Sequence, residues 1–216
     1  MSPTSLSGPE RAPRSGTVKR AVIFLHGYGS NGDDLLSIAD MMDLPDTQFL
    51  SPNAPFAFEI YPDGYQWFGL ADRDPQRILR EIVIATPILN AYIDQQLARF
   101  NLAPENVALL GFSQGSMMAM YAATRRAKPL AGIVAVSGAL KDAESLGEQI
   151  ASRPPICIIH GEMDDVVPFT AMAHAEAALR ANNVPVETHA RPRLGHGIDE
   201  AGIDIAQAFL KKSFGL

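Results

Sequence analysis

The chain has 216 residues, of which 47% are hydrophobic and 19% are charged, a composition that indicates a substantial buried core. Disorder over most of the length is excluded, because disordered chains lack this apolar content. With 24 acidic and 18 basic residues the net charge is −6, and no long basic run provides a cationic face, so we expect neither nucleic acid nor an anionic membrane surface as a partner.

The N-terminal segment, residues 1–16, contains three prolines, four serines and two glycines, and it lacks the apolar stretch of a secretory signal. We therefore predict a disordered leader over residues 1–16 and a single domain over residues 17–216. The longest uncharged stretch, residues 107–124, is interrupted by glycine and serine and is interpreted as a strand followed by a helix rather than a membrane span. The expected location is the cytoplasm.

Beyond this segment, short apolar runs alternate with longer amphipathic segments. The predicted strands are residues 21–25, 48–50, 107–110, 132–136, 156–159 and 186–190. The predicted helices are residues 33–42, 75–100, 116–126, 169–181 and 198–212. This alternation predicts an α/β fold with a mostly parallel central sheet and helices on both faces. In such a sheet, reactive side chains belong at the carboxyl ends of the strands.

The segment Gly111-Phe112-Ser113-Gln114-Gly115 has the G-x-S-x-G pattern and lies between a predicted strand and a predicted helix. The turn of this motif is so tight that only glycine is tolerated two positions before and two positions after the serine, and it exposes the serine hydroxyl next to a helix N-terminus. We therefore predict Ser113 as a catalytic nucleophile. The alternative is a glycine-rich loop in which Ser113 only caps the helix.

A serine nucleophile needs a general base, and five histidines compete for this role. His196 is the predicted base, because the glycine-bracketed loop Leu194-Gly195-His196-Gly197 follows the last strand and can reach a neighbouring strand end. The others are interpreted as structural: His26, His160, His174 and His189.

A carboxylate must orient the base, and the loop after the strand 156–159 offers three of them. The spacing does not choose between Asp164 and Asp165. An oxyanion hole also needs two backbone N–H groups. We expect one from Gln114, directly after the nucleophile, and the other from Tyr28 in a glycine-containing loop that follows the first strand of the predicted sheet.

Several motifs together resemble the carboxylesterase/phospholipase family of α/β-hydrolases, which includes bacterial carboxylesterases and acyl-protein thioesterases. They are residues 24–29, 51–55, 64–68, 111–115 and 160–168. The resemblance implies an α/β-hydrolase fold without a large cap domain, and metal-independent hydrolysis of esters or thioesters through an acyl-enzyme, without a cofactor. The family pattern H-G-x-x-D-x-x-V-P implies that Asp164 is the catalytic aspartate.

Six of the sixteen aromatic residues lie between residues 56 and 68. This segment is interpreted either as a loop packed on the body of the domain or as a wall of the acyl-binding site, with Trp67 and Phe68 in contact with substrate. A small-molecule or lipid ester is the expected substrate, and a homodimer is one arrangement that would cover the aromatic and Met-rich surfaces. The alternative to an enzyme is a catalytically silent ligand-binding or partner module on the same fold.

Overall fold

The computed structural model describes residues 5–216, in which seven strands form one sheet and two more form a small hairpin. The strands are β1 (Glu10–Arg11), β2 (Arg20–Leu25), β3 (Thr47–Leu50), β4 (Phe56–Ala57), β5 (Tyr65–Gln66), β6 (Val107–Phe112), β7 (Gly132–Val136), β8 (Ile156–Gly161) and β9 (Val186–Arg191). The α-helices are α1 (Gly32–Leu36), α2 (Pro75–Phe100), α3 (Gln114–Thr124), α4 (Leu146–Gln149), α5 (Thr170–Ala181) and α6 (Glu200–Phe214).

The main sheet has the strand order β1-β3-β2-β6-β7-β8-β9. Its pairs are parallel except for β1, which runs antiparallel to β3. The predicted architecture, a mostly parallel sheet with helices on both faces, is therefore confirmed. No separate cap domain is present in residues 5–216, where the longest connection of the main sheet, residues 51–106, holds the β4–β5 hairpin and α2.

The alternation of side chains along each strand builds two cores. In β2, Ile23 and Leu25 point into a core shared with α2, α3 and α5, while Val22 and Phe24 point into a core shared with α1 and α6. All four side chains are completely buried. A strand covered on both faces has to be apolar at every position, which is why the central strands are continuous apolar runs.

The N-terminal segment differs from the prediction of a disordered leader. Leu6 is buried, and β1 pairs with β3 at the edge of the sheet. The amide of Ser51 donates to the carbonyl of Pro9 at 3.0 Å. Backbone pairing to an open sheet edge stabilises this proline-rich segment, and its composition gave no sign of that. The correction concerns residues 5–16, since residues 1–4 lie outside the described part of the chain.

No helix within residues 5–216 is both long enough and apolar enough to cross a bilayer.

Candidate active site

The three side chains predicted to react follow three strands of the main sheet. Ser113 comes directly after β6, Asp164 follows β8, and His196 lies in the connection between β9 and α6. Because these strands are parallel, their carboxyl ends meet at one edge of the sheet. The topology therefore brings together residues that are far apart in the sequence.

The turn around Ser113 is strained. Its backbone has φ 52° and ψ −116°, a conformation that costs a non-glycine residue about 1–3 kcal/mol. The amide of Ser113 donates to the carbonyl of Val136 at 2.8 Å, which holds the turn against β7. A Cβ atom on Gly115 would collide with the carbonyl oxygen of Leu25, so glycine there lets α3 start close to β2. This is the physical reason for the glycine two positions after the serine.

Two hydrogen bonds link the three side chains. His196 Nε2 lies 3.0 Å from Ser113 Oγ, and His196 Nδ1 lies 2.8 Å from Asp164 Oδ2. An ionised carboxylate can only accept, so Nδ1–H donates to Asp164 and Nε2 is left to accept the hydroxyl hydrogen of Ser113. The geometry is that of a nucleophile, a base and a carboxylate that orients the base.

Asp164 has an environment that favours its charged form. Burial alone would raise the pKa of this carboxyl, but the hydrogen bond from His196 and those from the amides of Val167 and Val166 outweigh it, so the pKa lies below its ordinary value. The two amides donate to Oδ1 at 2.8 and 3.0 Å. The neighbouring Asp165 is exposed and makes no contact with His196.

The loop that carries His196 is held against the end of β8. The amide of Met163 donates to the carbonyl of Leu194 at 2.9 Å. A Cβ atom on Gly161 would collide with the carbonyl oxygens of Leu194 and Gly195, so glycine at this strand end allows the loop to approach. The imidazole of His196 is thereby placed between Asp164 and Ser113.

No other histidine within residues 5–216 is hydrogen-bonded to Ser113, although His160 Nε2 lies 3.3 Å from Asp164 Oδ2. His26 is completely buried, donates through Nδ1 to the Gly27 carbonyl at 2.8 Å and accepts the Ala54 amide at Nε2 at 3.0 Å. Burial lowers its pKa, because the hydrogen bond to Gly27 opposes this effect only in part. His160 is also completely buried and donates from Nε2 to the carbonyl of Val167 at 2.9 Å. His174 and His189 do not line the cleft around Ser113.

Two backbone amides beside Ser113 are available to an oxyanion. Neither the Tyr28 amide nor the Gln114 amide donates a hydrogen bond within residues 5–216. Both residues line the same groove as Ser113. The next amide along the first loop, that of Gly29, donates to the carbonyl of Tyr65 at 2.9 Å and holds the loop in place.

A groove of about 620 Å³ surrounds Ser113. Much of its wall is apolar, and the side chains responsible come from separate parts of the chain: Phe68, Leu70, Ile78, Phe112, Met117, Val167, Pro168 and Ala171. Most of these residues could not be predicted from the sequence, because no local pattern shows which apolar side chains face a groove instead of the core. Such a wall suits an apolar acyl chain or alcohol group.

The aromatic segment is a packed loop near the nucleophile. Trp67 is completely buried, does not line the groove, and donates from Nε1 to the carbonyl of His26 at 3.1 Å. The prediction of substrate contact by Trp67 is therefore corrected, whereas Phe68 does line the groove. The side chain of Gln114 holds the backbone of this segment, since it accepts from the Trp67 amide at 2.7 Å and donates to the Phe68 carbonyl at 2.6 Å. The sequence offered only one sign of this bridge, a polar residue at the start of a buried helix.

One cluster within residues 5–216 has donor atoms close enough to hold a metal ion. It consists of Cys157, Glu187 and His189, whose ligand atoms lie within 4.8 Å of one another, and none of them lines the groove. Burial raises the pKa of the Cys157 thiol, and the neighbouring Glu187 carboxylate raises it further. Since a metal binds the thiolate, this environment opposes metal binding.

Comparisons with known proteins agree with the resemblance seen in the sequence. A family model described as phospholipase/carboxylesterase matches residues 10–214. Esterase PE8, whose crystal structure is known, is 40% identical in sequence to this chain. The two structures superpose with a TM-score of 0.93, and the match covers 96% of this chain and 99% of that one.

Two curated relatives bear on activity. A rice protein (Oryza sativa subsp. japonica) named as a probable inactive carboxylesterase is 28% identical over 94% of this chain and 86% of its own length. Acyl-protein thioesterase 1 of Kluyveromyces lactis is 26% identical over 73% of this chain and 75% of its own length.

Proposed function

We propose that this chain, which belongs to the phospholipase/carboxylesterase family, hydrolyses carboxylic esters through an acyl-enzyme formed on Ser113. The observation that carries the proposal is the unbroken series of hydrogen bonds from Asp164 through His196 to Ser113 at the floor of an apolar groove. The identity of 40% to esterase PE8 over nearly the whole chain supports the same chemistry.

In the first half of the reaction, Ser113 Oγ attacks the ester carbonyl while its proton moves to His196 Nε2. As negative charge develops on the carbonyl oxygen, this oxygen accepts hydrogen bonds from the amides of Tyr28 and Gln114. The intermediate then collapses, the bond to the alcohol oxygen breaks, and His196 gives its proton to that oxygen. An acyl-serine is left in the groove.

In the second half, a water molecule takes the place of the alcohol. His196 removes a proton from the water, the resulting hydroxyl attacks the acyl carbonyl, and the same amides stabilise the second oxyanion. Collapse returns the proton to Ser113 Oγ and releases the carboxylic acid. Asp164 remains ionised throughout and stabilises the imidazolium in both halves.

The chemistry extends to thioesters, because a thioester carbonyl is attacked in the same way and its thiolate is a better leaving group. The likeness to the thioesterase from Kluyveromyces lactis supports this second substrate class. The apolar wall of the groove supports substrates with a hydrocarbon portion, including lipid esters.

The competing function is a catalytically silent binding module, because the rice relative is named as a probable inactive carboxylesterase. The observation against it is that His196 is hydrogen-bonded to both Asp164 and Ser113, while the amides of Tyr28 and Gln114 donate no hydrogen bond within residues 5–216 and are free to donate to an oxyanion.

The test is hydrolysis of p-nitrophenyl esters from acetate to palmitate by the wild type and by Ser113→Ala. We expect turnover by the wild type and a loss of at least about a thousandfold in kcat for the variant, with an unchanged melting temperature. A folded wild-type chain that hydrolyses none of these esters would support the silent module instead. Equal turnover by both chains would show that Ser113 is not the nucleophile.

A further inference from the structure

Two basic side chains line the groove around Ser113. They are Arg73, from the segment before α2, and Lys141, from the segment after β7. Both also line a neighbouring cleft, to which Ile78, Asp142 and Glu144 contribute as well, so the two cations lie where the groove and this cleft meet. No local sequence pattern links residues 73 and 141, so this pair could not be predicted from the sequence.

Neither cation has a carboxylate partner within residues 5–216. The acidic residues nearest in sequence form other contacts: Asp72 lies 3.4 Å from Arg77, and Asp142 lies 3.1 Å from Arg125. Asp74 accepts the amide of Gln76 at the start of α2.

Desolvation of Lys141 makes this arrangement unfavourable when no anion is bound. It is partly buried, and burial lowers the pKa of its ammonium group with no acidic group acting in the opposite direction. A buried or half-buried charge is normally paired, because desolvation is otherwise uncompensated. An anion bound in the groove would supply the missing partner.

The groove has opposite charges on its two sides. In the sheet order, β2 and β7 flank β6, whose end carries Ser113. The side that follows β2 contributes Asp34, whose carboxylate accepts the Ser30 hydroxyl at 2.8 Å. The side that follows β7 contributes Ala139 and Lys141. An anionic group would therefore be repelled on the β2 side and attracted on the β7 side.

We propose that the enzyme prefers esters that carry a second, anionic group, such as half-esters of dicarboxylic acids, with the carboxylate held by Lys141 and Arg73. Arginine binds a carboxylate with two parallel hydrogen bonds, and lysine adds a compact positive charge. The apolar side chains Leu70, Ile78 and Met117 line the same groove and suit the methylene chain between the two ends of such a substrate. This inference rests on the ester hydrolysis proposed above.

The experiment compares two substrates of equal length, monomethyl adipate and its uncharged monoamide, by the release of methanol. We expect kcat/KM to be at least about tenfold higher for the half-ester, because hydrogen bonds to charged groups contribute more than neutral ones. The substitutions Lys141→Met and Arg73→Gln should each reduce the ratio of kcat/KM for the half-ester to kcat/KM for the monoamide severalfold. Lys141→Glu should reduce this ratio further, and this variant should hydrolyse the cationic ester methyl 6-aminohexanoate in preference to the anionic half-ester.

The matched control is Lys128→Met, which removes the same charge from an exposed position that does not line the groove. Its ratio should equal that of the wild type. A ratio near one in the wild type, or an equal fall in Lys128→Met, would overturn the preference while ester hydrolysis stands. If p-nitrophenyl esters and both adipate esters are all refused by folded protein, the proposed function itself fails.

Discussion

At the scale of single residues, the site depends on a few polar contacts that are difficult to replace. Asp164 uses both carboxylate oxygens, one for His196 and the other for the amides of Val166 and Val167. These contacts fix the direction in which the imidazole points, and thereby which nitrogen faces Ser113. Asp165 follows directly in the sequence but is exposed.

The adjacent residues Asp164 and Asp165 provide a test of these contacts. Asp164→Asn should lower kcat by about 10³–10⁴-fold, because an amide cannot hold the imidazole in the required tautomer or stabilise its charge. Asp165→Asn makes the same chemical change one residue away and should leave kcat within about twofold, as is usual for surface substitutions. The measurement is steady-state hydrolysis of one p-nitrophenyl ester. A similar loss in both variants would contradict the assignment of Asp164.

The residues themselves show how far sequence reasoning reaches. Ser113 and His196 were predicted from their glycine-containing loops, since glycine marks turns that need a close backbone approach. The choice between Asp164 and Asp165 needed either the family resemblance or the observed burial. Trp67 and Phe68 are adjacent aromatic residues that are both completely buried, and the sequence does not show that only Phe68 lines the groove.

At the scale of elements, α6 and the loop before it form a structural unit next to the site. Asp199 accepts the amide of Gly202 at 2.9 Å and so caps α6. The same carboxylate bonds Arg191 at the end of β9, with the shortest distance 2.9 Å. One side chain therefore joins the strand before the His196 loop to the helix after it.

This contact predicts a stability change that depends on pH. Asp199→Ala should lower the free energy of unfolding at pH 7 by about 1 kcal/mol, the usual effect of removing a helix cap. The bond to Arg191 lowers the pKa of Asp199; burial acts in the opposite direction, and the amide of Gly202 lowers the pKa further. Because the folded pKa is depressed, the contribution is complete above the unfolded value of about 3.9 and is lost as the pH falls through the folded value.

Urea unfolding at a series of pH values between 7 and 2.5 measures this effect. The difference between the wild type and Asp199→Ala should be constant down to about pH 4 and shrink below it. Asp204→Ala, at an exposed position on the same helix, should differ little from the wild type at any pH. A difference that grew on acidification would contradict the role given to Asp199.

The elements also divide into those that the sequence could predict and those that it could not. The central strands and the full extent of α2 were predicted, because burial on both faces and helical periodicity leave strong patterns. The strands β1, β4 and β5 have only two residues each; β1 pairs with Phe49 and Leu50 of β3, and β4 pairs with β5. Such short strands leave no periodicity to detect.

At the scale of the whole molecule, the N-terminal segment belongs to the folded structure. Leu6 is buried, Glu10 pairs with Arg99 at 2.7 Å, and β1 covers the edge of β3. These contacts join the start of the chain to the sheet and to α2. An uncovered edge strand is a site for aggregation.

Deletion of residues 1–11 should therefore lower the free energy of unfolding by at least about 2 kcal/mol, the usual cost of losing one buried leucine, and it should increase aggregation on heating. Deletion of residues 1–4 alone keeps all of these contacts and is the control. Chemical denaturation and light scattering give the two readouts. Equal stability of the longer deletion and the wild type would support a leader without structural contribution.

The central claim concerns one atom, Ser113 Oγ, and its direct test is covalent labelling. The measurement is reaction with a fluorophosphonate probe, followed by intact mass and peptide mapping. Ser30→Ala is a matched control, because Ser30 is the other serine that lines the groove within residues 5–216. We expect one adduct per chain, mapped to Ser113, in the wild type and in Ser30→Ala, none in Ser113→Ala, and labelling at least about a hundredfold slower in His196→Gln. An adduct on another residue, or no adduct on folded protein that still hydrolyses esters, would contradict the account.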